Sequence, residues 1–295
     1  MNHATTSPAT AFSNHAARQA FRRRVVYPVF MHGLMILGVF VVLFPLLFAI
    51  ILSTQSSADW FQIGNLVPGT SAAHNYTTAW ERASIGRLMV NTTIVAVLVA
   101  GGKIILSMSA SFALIYFKVR GSALIIGLIM LTHFLPLPVR IVPTYQLLAD
   151  LRWIDTFQGL TVPFFASATG ILLFLQFFRT LSPDLADAAR VDGAGPLHFL
   201  FRILIPISRT NIGALFLIEF IYMWNQYLWP LLVANSVDTR QVQIGIKQLI
   251  ATDAVIDWGV LMAGTVMVII PPLVVLLVLQ RSLMAGLSAG DEGIR

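Results

Sequence analysis

Thirty-four consecutive residues, Val25 to Ala58, contain no Asp, Glu, Lys or Arg. A helix crossing the hydrocarbon core of a bilayer needs about 20 mostly apolar residues, whereas the apolar core of a cleavable signal runs to about 7–15. The stretch therefore predicts a retained first membrane helix near 27–53. Only 11% of the 295 residues are charged, against about 25% in soluble domains, and mean hydropathy is +0.80. A soluble globular enzyme is excluded on these grounds. The absence of cysteine removes disulfides, thiolate catalysis and Cys-ligated metals together.

Five further stretches have the same character. Leu88–Phe117 is interrupted only by Lys103. Gly121–Val139, Thr156–Phe178 and Gly259–Gln280 are uncharged, and Asn211–Val233 contains one acid, Glu219. Six spans are expected, near 27–53, 88–117, 121–142, 157–178, 210–233 and 259–280, making an all-α membrane domain over 25–285. Tails at 1–24 and 286–295 flank it. With the N-terminus inside, twelve Lys and Arg fall on the inner side and six on the outer, with Lys103 left within a span. The positive-inside rule then puts both termini in the cytoplasm. The basic excess of +6 is a topology signal, and nucleic acid drops out as a partner; lipid remains.

The inner loop 179–209 is the most informative segment. Ser182-Pro183-Asp184 has the chemistry of a helix start: a hydroxyl to accept an orphan amide, a ring with pre-set φ, and a carboxylate at the positive end of the dipole. Gly193 is placed to end that helix in a left-handed cap, and Pro196 can open the next in a new direction. At the centre lies Asp187-Ala188-Ala189, where two small residues let another surface approach closely. Asp187, Arg190 and Asp192 offer directional contacts around them. A short, stiffly bounded helix of this kind suits docking into a partner. An amphipathic connector on the bilayer would carry more large apolar residues than Leu185 and Val191.

The spacing in this loop resembles the coupling loop of binding-protein-dependent ABC importer membrane subunits. That pattern is Glu-Ala-Ala, three residues, Gly, nine residues, then Ile-x-Leu-Pro. Here Asp187-Ala188-Ala189, Gly193 and Ile203-Leu204-Ile205-Pro206 keep every interval, with Asp for Glu and Ile205 for Leu. The runs from Leu137 to Leu181 and from Phe220 to Leu232, with Pro271-Pro272 and Gln280-Arg281, are similar to the carbohydrate branch, nearest the sn-glycerol-3-phosphate importers. The resemblance implies a six-helix, type I (MetI-like) importer fold with a coupling helix, in a bacterial inner membrane. It implies ATPase-coupling roles for Asp187, Ala188, Ala189, Arg190, Asp192, Gly193 and Pro206. The implied partners are a related membrane permease subunit, an ATP-binding subunit dimer and an external substrate-binding protein. Glycerol 3-phosphate is the implied cargo, with glycerophosphodiesters beside it and maltose-like or other sugars as the alternative.

The chain has no Gly-x-x-x-x-Gly-Lys-[Ser/Thr] phosphate loop, since Gly101-Gly102-Lys103 runs on into Ile104 within a span. No cofactor is expected here, ATP and magnesium belonging to the partner ATPase, and no acid–base constellation suggests catalysis. An ion-driven secondary transporter would show inverted repeats and a coupling-ion site, and neither is visible. Pathway candidates are Lys103, Arg140, Asn225 and Gln226. A charge at the centre of a span costs about 2.5–3.5 kcal/mol on insertion scales, so Lys103 and Glu219 should face protein or water. Lys103 as a pairing or snorkelling residue is the simpler reading than direct contact with an anion, and Glu219 suits an interior pair. His32 and His133 are expected to be buried and hydrogen-bonded, and Trp224, Tyr227 and Trp229 to serve helix packing or an interface belt.

Overall fold

The computed structural model describes residues 27–56, 66–251 and 256–288, and the two tails expected from the sequence lie almost wholly outside them. Among the described residues every regular element is a helix. Apolar side chains on all faces suit a bilayer, where each backbone polar group must be satisfied within its own segment. Three helices are long enough to cross alone: α1 (Tyr27–Leu52), α3 (Ile85–Tyr116) and α13 (Trp258–Ser288). Between them lie α2 (Ala72–Arg82), α4 (Ser122–His133), α5 (Leu137–Asp150), α6 (Phe157–Thr161), α7 (Ala168–Thr180) and α8 (Pro183–Val191). There follow α9 (Pro196–Phe199), α10 (Arg209–Trp224), α11 (Leu228–Val233) and α12 (Val242–Ala251).

Three of the expected spans are not single helices. The segment near 121–142 is α4, only 12 residues long, followed by a new helix. Pro136, extended at φ −65° and ψ 146°, is the N-cap of α5, and its extended backbone and missing amide end the α4 ladder there. The segment near 157–178 bends by 45° between Phe164 and Ala168, where Ser167 re-caps α7 by accepting from the Gly170 amide. The segment near 210–233 stops at Trp224 and restarts at Leu228. By contrast α13 continues as one helix past Pro271-Pro272.

The bundle is held where small residues let helices close. A methyl on Gly170 would collide with the Ser107 hydroxyl, so α7 touches α3, and Ser111 donates across the same seam to the Ile171 carbonyl at 2.8 Å. Gly213 of α10 meets Ser282 of α13 in the same way. One core cluster gathers Ile85, Leu88, Leu160, Trp224, Trp229 and Val242; a second, beneath α8, gathers Met108, Phe112, Phe174, Phe178, Phe199 and Leu215. Trp224 and Trp229 are 1% exposed, with Trp229 donating to the Gly159 carbonyl, so both serve packing. His32 departs from expectation: it is exposed on α1, its ring bonded to the Pro28 carbonyl of its own helix at 2.6 Å. The side chain of His133 lies outside the described residues.

The connection from α11 to α13 carries a buried helix. This helix, α12, buries Val242, Ile244 and Leu249 against α3 and α13. Asn91 of α3 donates to the Val237 and Arg240 carbonyls, and Thr92 accepts from the Val242 amide at 2.9 Å. Asp155, at φ +59°, latches the same loop from the other side. Its Oδ1 accepts from the Asn235 and Ser236 amides and the Thr239 hydroxyl. Burial alone would raise this carboxyl, but those donors, Thr239 foremost, outweigh it and lower the pKa from 3.8 to about 2.

Candidate functional site

At one end of the bundle α8 stands out from the surface between two stiff boundaries. The Ser182 hydroxyl accepts from the Asp184 amide at 3.3 Å, Pro183 fills the first helical position, and Asp184 lies in the positive first turn. At the other boundary Gly193 has φ +77°. Its amide bonds the Arg190 carbonyl at 3.0 Å, and the Ala194 amide bonds the Ala189 carbonyl at 2.8 Å. This pair of bonds is the Schellman arrangement, which satisfies the last carbonyls and needs a residue at ease with positive φ.

The two faces of α8 differ. Ala189 is 6% exposed and packs into the aromatic cluster formed by Phe112 of α3, Phe174 and Phe178 of α7 and Phe199 of α9. Of the two adjacent alanines only Ala188 is presented outward. Asp187 is exposed, its Oδ1 2.7 Å from Arg190 Nη1. The Arg190 guanidinium lies 4.6 Å from the centre of the Tyr116 ring, so one side chain ties the outer face of α8 to the end of α3. Asp192 forms the C-cap, and an apolar cleft of about 260 Å³ runs beside the helix between Tyr116, Phe178 and Leu185.

Pro206 lies in the following helical run, Pro196 to Ile207. A proline there has no amide to donate and its ring crowds the carbonyl four residues back. The chain responds with one widened π turn at Leu200–Leu204, and a 74° bend at Ser208 then leads into α10. The Ser208 amide returns to the Leu204 and Ile205 carbonyls, closing the corner. Sequence reasoning placed Pro206 in a motif but gave no signal of the π turn.

The four pathway candidates divide in two. Lys103 and Arg140 line one cavity of about 510 Å³ bounded by α4, α5, α7 and α10, together with Ser167, Glu219 and Tyr222. Within it Lys103 Nζ is 2.6 Å from Glu219 Oε2, both side chains being under a tenth exposed. The Ser167 hydroxyl reaches Glu219 Oε1 at 3.4 Å, and the Tyr222 ring centre lies 5.2 Å from Lys103 Nζ. Asn225 and Gln226 lie elsewhere, at the break between α10 and α11. The Asn225 amide group donates to the Ile221 carbonyl at 2.8 Å, ending its own helix. The Lys103–Glu219 pair was not assigned from sequence, because 116 residues separate its members.

A broken-helix membrane bundle carrying a rigidly capped surface helix on an apolar seat presents a firm docking face at one end. The family described as "Binding-protein-dependent transport system inner membrane component" matches residues 16–288, and the chain belongs to it. It is a multi-pass inner-membrane permease subunit, non-catalytic, of a kind that works with a second permease, an ATPase and a substrate-binding protein. It is 43% identical over 265 residues to the sn-glycerol-3-phosphate transport system permease protein UgpE of Rhizobium meliloti, covering 87% of this chain and 94% of that one. To the protein of the same name from Agrobacterium fabrum it is 42% identical, covering 90% and 97%. A crystal structure of a bacterial ABC transporter involved in the import of the acidic polysaccharide alginate shares the fold. Its TM-score is 0.77, at 22% identity, covering 88% of this chain and 97% of that chain.

Proposed function

We propose that this subunit forms half of a translocation path for sn-glycerol 3-phosphate, driven by ATP hydrolysis in a separate subunit. The relatives carrying that name across about nine-tenths of the chain support the cargo. Its partners on this reading are a UgpA-like second permease, a UgpC-like ATPase dimer and a UgpB-like binding protein. The chain crosses the membrane six times with both termini cytoplasmic, α8 facing the ATPase.

The observation that carries the coupling role is the two-sidedness of α8. Its outer face presents Ala188 and Asp187 to a partner, while its inner face is seated through Ala189 on the ends of α3 and α7. A push on such a helix is passed to α3 and α7 as a rigid-body movement, with the stiff caps keeping the helix from yielding. Asp187→Arg reverses the charge on the docking face and is expected to abolish uptake with membrane insertion intact. A cross-linker at Ala188→Cys should capture the ATPase, whereas normal uptake in Asp187→Arg would remove the docking role. Cargo is tested by ATP-dependent uptake in the reconstituted four-component assembly, comparing labelled glycerol 3-phosphate with a neutral disaccharide. Preference for the disaccharide would overturn that assignment.

A further inference from the structure

We infer that the cavity holding Lys103, Arg140 and Glu219 is an anion-binding station in which Glu219 is a built-in competitor that releases Lys103 to an entering phosphate group. The inference rests on the anionic cargo proposed above and assigns that cargo a site. Three charged side chains line the cavity, two cationic and one anionic, so its lining carries one net positive charge. A neutral sugar gains nothing from that charge, and a cation is repelled by it. A phosphate monoester is attracted.

The pairing explains how such a site can exist in a membrane. Lys103 unpaired within α3 would be costly, and Glu219 neutralises it at 2.6 Å when no anion is present. Stability alone gives little reason for the pair, because replacing a buried ion pair with apolar residues is often neutral or stabilising. Arg140 is exposed in the cavity wall and has no ion-pair partner among the described residues, so it is available from the outset. The Ser167 hydroxyl beside Glu219 Oε1 gives the carboxylate a remaining partner when Lys103 turns toward the anion. With a singly charged phosphate group bound, the two cations of the cavity balance its two anions.

The chain has no native cysteine, so a single reporter in a cysteine-free assembly is clean. Thr169, exposed on the cavity wall, is the position for Thr169→Cys. The assay compares its modification by anionic and cationic methanethiosulfonates, with inorganic phosphate as protector. Phosphate is expected to slow both reagents. Glu219→Gln should raise the anionic-to-cationic rate ratio by about tenfold or more, because removing one negative charge favours the anionic reagent and disfavours the cationic one. Lys103→Gln with Glu219→Gln should assemble, retain binding-protein-stimulated ATP hydrolysis, and lose at least tenfold in glycerol 3-phosphate uptake.

Wild-type uptake in that double variant would make the pair a structural tie and overturn the inference. So would a rate ratio unmoved by Glu219→Gln, or glycerol 3-phosphate uptake without phosphate protection. Wild-type preference for a neutral disaccharide, with phosphate protection intact, would overturn the cargo while leaving the anion station standing.

Discussion

Replacing Gly193 in a graded series isolates what the stiff end of α8 contributes. A Cβ built at Gly193 meets nothing within 4 Å, so substitution there introduces no clash. The cost is conformational alone, arising from φ +77°. Asn tolerates that region and should cost a few tenths of a kcal/mol, whereas Ala should cost about 1–2 kcal/mol and Val more. Pro is worst, because it locks φ near −65° and deletes the amide that bonds Arg190. Each ~1.4 kcal/mol shifts the ratio of capped to frayed α8 tenfold. Uptake and cross-linking yield from Ala188→Cys should therefore both rank Gly, Asn, Ala, Val, Pro, at equal membrane content. If Gly193→Val transported as well as Gly193→Asn, cap rigidity would have no part in coupling.

Asp155 gives a pH prediction with a definite sign. Its folded pKa is depressed, so the latch on residues 235–239 contributes fully above the ordinary value of 3.8 and is lost as pH falls toward about 2. Hydrogen exchange of the Asn235 and Ser236 amides should rise through that window beyond the intrinsic trend, and Asp155→Asn should be loosened already at neutral pH without the extra acid step. Lys103→Met alone leaves Glu219 buried without its partner and should destabilise the detergent-solubilised assembly by about 3–5 kcal/mol, whereas Lys103→Met with Glu219→Met should return close to wild-type thermal stability. Gly170→Val drives side-chain atoms into Ser107 of α3 and should lower melting temperature or expression sharply. A parallel change at Gly127, which has open space around it, should leave both nearly unchanged.

Local chemistry was legible where one short segment decides its own conformation. The start of α8 at Ser182-Pro183-Asp184 and its end at Gly193 follow from backbone rules that need no distant contact, and both stand in the structure where the sequence placed them. Apolar runs likewise announced α1, α3 and α13. Hydropathy could not show where helices break, because an apolar run looks the same whether continuous or interrupted. Pro136 stands at a break while Pro271-Pro272 lie inside a continuous helix, so proline by itself does not mark where a span is interrupted. The buried helix α12 was hidden for a related reason: its burial comes from packing on α3 and α13, with Leu88 against Gly245 and Leu249 against Gly264, contacts between segments far apart in sequence.

The sequence by itself determined a charge-poor chain bound for the bilayer, and a capped helix with Ala188 and Ala189 at its centre. Only the tertiary structure decided that Ala189 turns inward and Ala188 outward, since that depends on which aromatic side chains α3, α7 and α9 bring beneath α8. Only it joined Lys103 to Glu219 and set Arg140 on the same cavity, with Asn225 and Gln226 apart. Turn and cap propensities act over a few neighbouring residues and can be read along the chain. A salt bridge across 116 residues exists only after the helices have packed.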